Sequence, residues 1–128
     1  MTSVPESELN VALRQGEHLI ACVAADGFFA SKHGSPPSNP HVAVTEQRIV
    51  LFSRRGVMKK RLDEEVSWPL TAFTERINSN EGTALGPFLY ILTLFTKDGE
   101  TVSTAFKRPR DREAFKETVV AALGPILG

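Results

Sequence analysis

VAVTEQRIVLFSRRG, residues 42–56, holds two apolar runs separated by a polar corner and closes on a basic pair. Its β-branched and aromatic residues suit extended chain, and Glu46-Gln47 stands where a tight turn joins two strands. The stretch therefore predicts an antiparallel hairpin made of residues 41–45 and 48–53. Arg54 and Arg55 end the second strand. What lies on either side decides whether they also mark a surface for an anion.

Working outward, the chain continues to read as strands. Residues 17–25 form an apolar run, and residues 26–40, with three prolines, two glycines and three serines, read as a long loop. Beyond the hairpin, 56–62 and 65–77 are further strands, with Pro69 at an edge or bulge because it has no N–H to give a ladder. A polar, glycine-bearing loop at 78–87 precedes the strong strand 88–96. Asp98-Gly99 then turns the chain into 100–107, where Val102, Thr104 and Phe106 alternate onto one face.

Two helices flank these strands. Ser3 and Glu6 fit a capping box opening a short helix over 3–15, with Gly16 to end it. A second helix opens near Pro109, runs to about 123 and stops at Gly124-Pro125, with Phe115, Val119 and Leu123 at helical spacing. An amphipathic helix after antiparallel strands must lay its apolar face on the sheet. There is no βαβ rhythm and no internal repeat. The expected fold is α+β, mainly β: a barrel of about seven antiparallel strands closed by the C-terminal helix, as a single domain over 1–128.

Composition narrows the function classes. Hydrophobic residues are 41% and charged residues 23%, close to the globular norm. Lys and Arg number 15, as do Asp and Glu, so the formal charge is zero and nucleic acid is not the expected partner. One cysteine, Cys22 in an apolar run, excludes a disulfide framework. No apolar stretch reaches the ~20 residues of a membrane span, and residues 1–10 do not resemble a secretory signal. A cytoplasmic protein is the expectation.

Several motifs, taken in order, resemble the bacterial pleckstrin-homology-like (PH-like) domains and the related GRAM domain. LRQGEHLIA carries the opening Gly16-Glu17 before an apolar strand, and VAVTEQRIVLFS carries the apolar-Thr-x-x-Arg-apolar hairpin at Thr45 and Arg48. VSWPLTAFT, LYILTLFTKDGE and FKRPRDREAFKETV follow at similar spacing, so the resemblance spans about residues 13–123. It implies a PH-like barrel with a C-terminal helix, and a non-catalytic module. Relatives of this superfold bind phosphoinositides, peptides or proteins.

The residues themselves offer no catalyst. There is no nucleophile elbow, phosphate-binding glycine loop or metalloprotease histidine pair. His18 and Cys22 stand ~13 Å apart along a strand, too far for one metal. No metal or cofactor is expected. Arg48 to Arg61 is a run with six basic and no acidic residues, and Arg54, Arg55, Lys59, Lys60 and Arg61 gather toward a hairpin tip. With Lys32 they are the candidate contacts for an anion or lipid headgroup, while Asp63-Glu64-Glu65 follows at once and neutralises part of the run. Phe28 and Phe29, in the first loop, are candidate membrane or partner contacts. A second basic group, Lys107, Arg108, Arg110 and Arg112, surrounds the start of the last helix.

Strands 48–53 and 88–96 are apolar on both faces, so something covers the outside: the N-terminal helix, the long loop or a second subunit. The leading expectation is a binding or scaffolding module acting through a protein partner or self-association. The alternative is a peripheral membrane module that binds anionic phospholipid headgroups through the basic hairpin.

Overall fold

The structure, a computed structural model, describes residues 4–33, 37–83 and 86–127. The chain order is α1 (Glu6–Ala12), β1 (Leu19–Ala24), β2 (Gly27–Ala30), β3 (Pro40–Thr45), β4 (Arg48–Arg55), β5 (Arg61–Pro69), a 3-10 turn (Leu70–Ala72), β6 (Phe73–Thr83), β7 (Phe88–Thr96), β8 (Thr101–Phe106) and α2 (Pro109–Leu127). One antiparallel sheet has the order β1-β3-β4-β5, the other β2-β8-β7-β6.

The expected closed barrel of about seven strands is therefore corrected, among the described residues, to eight strands in two separate four-stranded sheets. The reason lies at two corners. At the first, Ala25 N–H donates to Pro40 O in one sheet while Asp26 N–H donates to Ala105 O in the other, at 3.0 and 2.9 Å. The Asp26 carboxylate then accepts from Lys107 N–H at 2.8 Å. Gly27 follows because the sheets meet here: a Cβ on it would lie 3.3 Å from that of Ala105. At the second corner Pro69 ends β5, and Leu70–Ala72 bridges to β6 with Leu70 N–H on Gln47 O and Lys97 N–H on Ala72 O. No ladder joins the sheets across either corner.

Other expectations shift for local reasons. The loop 26–40 contains β2, whose burial alternates along Phe28, Phe29 and Ala30 and whose partner is β8. The loop 78–87 is largely strand, since β6 pairs with β7 out to Thr83 opposite Phe88. Residues 56–60 are hairpin tip rather than strand. Helix α1 ends at Ala12, and Gly16 (φ 79°) instead serves the turn in which Glu17 N–H meets Arg14 O. Ser3, the expected cap, lies outside the described residues. Helix α2 runs past Gly124-Pro125 to Leu127, whose side chain packs on the core.

Two apolar clusters hold the fold. Between the sheets lie Val42, Val44, Ile49, Leu51, Leu92 and Val102, with Phe115, Val119 and Leu123 of α2 packed onto them. The outer face of β4, Val50 and Phe52, is covered by Val4 and Leu9 from the α1 segment, with Cys22, Ala43 and Leu62 beside them. The N-terminal helix thus covers the doubly apolar β4. On β7 the Arg76 guanidinium lies 4.1 Å from the Phe95 ring centroid, while Phe88 stays exposed.

Phe115 is buried between helix and sheets, so Phe115→Ala should cost about 3–5 kcal/mol. Val120→Ala, on the exposed side of α2, should stay within about 0.5 kcal/mol. Urea unfolding midpoints check both, and equal midpoints would mean that α2 is not packed as described.

Candidate functional site

The basic run divides into residues consumed by the fold and residues left at the surface. Thr45 opens the division. Its Oγ1 accepts from the backbone N–H of Gln47 and Arg48, at 3.1 and 3.0 Å, which shapes the β3–β4 turn. It donates to Glu17 Oε2 at 2.8 Å. Arg48, only 1% exposed, sends Nε and Nη2 to the two Glu17 oxygens at 2.8 and 3.1 Å and Nη1 to Glu64 Oε1 at 2.6 Å. Burial pushes the Glu17 carboxyl up, but hydrogen bonds from Arg48, the Arg14 N–H and Thr45 outweigh it and hold the group below 4.5. Burial alone would lower Arg48, and its bonds to Glu17 and Glu64 raise it instead.

The arginines of the β4–β5 hairpin are engaged as well. Arg54 grips Glu8 of α1 with Nε and Nη2, both at 3.0 Å. Arg55 Nη2 reaches Glu65 at 3.2 Å and its Nε lies 3.6 Å from Asp63, which also receives Arg61 Nε at 3.2 Å. Asp63, Glu64 and Glu65 lie on β5, each within reach of an arginine. Arg54 and Arg55 are the last two residues of β4.

The tip turns at Gly56 (φ 116°), where a Cβ would stand 2.1 Å from Lys59 O. It presents Val57 and Met58 at 95% and 99% exposure, followed by Lys59 and Lys60, which have no salt bridge among the described residues. A groove of about 690 Å³ runs between this hairpin and α1, with Val11 (87% exposed) on the helix side.

The remaining candidates lie apart from that groove. Lys32 bonds Asp98 Oδ2 at 3.0 Å, and bonds from Thr96 and Lys32 hold Asp98 down at about 2. Phe28 is buried against Trp68, ring centroids 5.9 Å apart, so Phe29 alone of the pair reaches the surface. Arg112 bonds Glu113 and Asn80 O, while Lys107, Arg108 and Arg110 are exposed. Burial pushes the Cys22 thiol up to about 11, which keeps it protonated and unreactive.

Sequence reasoning missed one cluster. Trp68 Nε1–H donates to buried Glu100 Oε1 at 2.9 Å, and His33 Nε2 stands 3.7 Å from Glu100 Oε2, which has no hydrogen-bond partner among the described residues. The one available signal was the lone tryptophan, since a buried indole N–H seeks an acceptor. Among the described residues no group of three His, Cys, Asp or Glu is placed to hold a metal, and no helix is long and apolar enough to cross a membrane.

This architecture is that of the pleckstrin homology domain. A pleckstrin homology domain from Shewanella amazonensis SB2B shares it with a TM-score of 0.58 at 18% identity, over 91% of this chain and 93% of the other. A DUF1696 family protein with a pleckstrin-homology domain from Shewanella loihica PV-4 does so at 0.56 and 15%, over 91% and 88%. Autoinhibited Vav1 superposes at 0.60 and 10%, over 82% of this chain but only 18% of that longer one. At these identities the likeness is one of fold. No family model and no curated protein matches the sequence.

Removing one partner of the buried network strands the other. Arg48→Met should cost about 3–5 kcal/mol in urea unfolding. Because the Glu17 pKa is depressed on folding, its contribution is present above the unfolded-state value and is lost as pH falls through the folded one. Stability should therefore decline on acidification below about 4.5, and Glu17→Gln should flatten that decline; an unchanged slope would refute the assignment.

Proposed function

We propose that the chain is a single PH-like domain serving as a non-catalytic binding or scaffolding module, in contact with a protein partner or a second copy of itself. The observation that carries this reading is the α1–hairpin groove, lined on its two sides by the exposed apolar side chains of Val11 and Met58, with exposed Val57 next to Met58 in the chain. Exposed apolar side chains gathered around a groove and rimmed by polar residues mark interaction sites. The kinship with bacterial PH-like and GRAM domains belongs to this reading. It is supported by Glu17, Thr45 and Arg48, the motif residues, acting together in one network. A cytoplasmic setting accords with the lone free thiol, Cys22.

Photocrosslinking tests it. With p-benzoylphenylalanine at position 58, ultraviolet irradiation in the producing cells should give discrete protein adducts, and a dimer of the chain would identify self-association. Recovery of the uncrosslinked chain alone would defeat the reading.

A second reading is favoured by the shape of the tip. Val57 and Met58 project from the hairpin with Lys59 and Lys60, which have no salt bridge among the described residues, behind them, the arrangement of an interfacial anchor. Each lysine near an anionic bilayer contributes about 1 kcal/mol. The other candidate cations Arg54, Arg55, Arg61 and Lys32 already meet carboxylates, which leaves the two lysines as the attraction at this tip. Flotation with phosphatidylserine but not phosphatidylcholine vesicles, abolished in Lys59→Glu/Lys60→Glu, is the expected result if the membrane is the target. No flotation at low salt rejects it.

A further inference from the structure

The groove between α1 and the hairpin combines exposed apolar walls with a charge that the chain does not cancel. Val11 and Met58 stand almost fully in solvent on its two sides, with Leu62 of the outer apolar cluster at its base. Both carboxylates of the lining are already matched from within: Glu8 is held by two bonds from Arg54, and Asp63 lies between Arg55 and Arg61. Lys59 and Lys60, on the same lining, have no carboxylate within salt-bridge distance among the described residues. So the groove is left with unmatched positive charge, in a chain whose formal charge is zero.

We infer that this groove docks a segment of a partner protein whose apolar side chains are flanked by carboxylates. The inference rests on the protein-contact reading above and names the chemistry of that partner. The apolar side chains fill the space between Val11, Met58 and Leu62, and the carboxylates meet Lys59 and Lys60. The groove has a volume of about 690 Å³. A lysine-bearing segment is repelled by the two ammonium groups, which gives the groove a means of rejection as well as of attraction. A bilayer is flat on this scale: it accommodates the projecting tip and leaves the concavity beside α1 unfilled. That difference favours a peptide segment over a lipid surface as the occupant.

Three matched sets of short synthetic peptides test the inference. All carry the same leucine and methionine positions, with flanks of glutamate, glutamine or lysine, and binding to the full chain is read by fluorescence anisotropy. The glutamate set should bind, and more weakly as salt rises. Its affinity should fall about tenfold in Lys59→Glu/Lys60→Glu. Val11→Ser, an exposed change that leaves the core intact, should weaken it too, and circular dichroism confirms that each variant is folded. Equal binding of the three sets, a preference for glutamine or lysine, or no binding at all overturns the inference. Association with phosphatidylserine vesicles while every peptide stays silent overturns it in favour of a membrane. If the peptides fail while position 58 still crosslinks to protein, the inference falls and the protein-contact reading stands; if crosslinking fails as well, both fall.

Discussion

Burying one guanidinium organises the first sheet. Arg48 leaves water at a cost of several kcal/mol, which the structure offsets only by giving it charged acceptors on more than one side. Glu17, ahead of β1, takes two of its nitrogens and Glu64 on β5 takes a third. Because Arg48 itself opens β4, the three residues lock the entrance of β1, the β3–β4 turn and β5 into one register. Lysine has a single charged centre and lacks the planar fork that meets both Glu17 oxygens at once. The Thr45 hydroxyl finishes the arrangement, bonding both the carboxylate and the turn that carries the arginine.

Much of the architecture was legible because it is local. The hairpin around Glu46-Gln47, the strand 88–96 and the helix opening at Pro109 follow from alternation, turn chemistry and helical spacing over short windows. The two-sheet division was not legible, because it depends on where a strand changes partner. Nothing in the run from Leu19 to Ala30 signals that Ala25 bonds one sheet and Asp26 the other; the bonds go to Pro40 and Ala105, far away in sequence. Pro69 was read as an edge residue, and its further effect, splitting one long strand between two sheets, needed the partners of both halves. In β6 the polar sequence Asn-Ser-Asn resembles a loop, but ladder bonds to β7 override that preference.

The candidate surface was legible as charge and illegible as pairing. Six basic residues in a row of fourteen attract notice, and the sequence placed Asp63-Glu64-Glu65 beside them as a neutralising group. It gave no sign that Glu8, 46 positions earlier, folds over to take Arg54. Once each arginine has its carboxylate, the feature that distinguishes the hairpin is its apolar tip. Val57-Met58 appeared in the sequence as ordinary strand residues because the turn imposed by Gly56 was read as strand.

The seam between β2 and β8 also joins parts of the chain far apart in sequence. Asp26 bonds Lys107 across 81 positions, and β2 has no sheet to join until β8 exists. Hairpins β3–β4 and β6–β7 close over short loops, whereas this seam must wait while a long intervening chain is organised. With β2 in place the edges of the second sheet are β2 and β6, so this pairing covers β8 and leaves the four-residue β2 at the rim. The crossing at Asp26 thus hands that rim to a short strand, which offers a neighbouring chain few unpaired backbone groups.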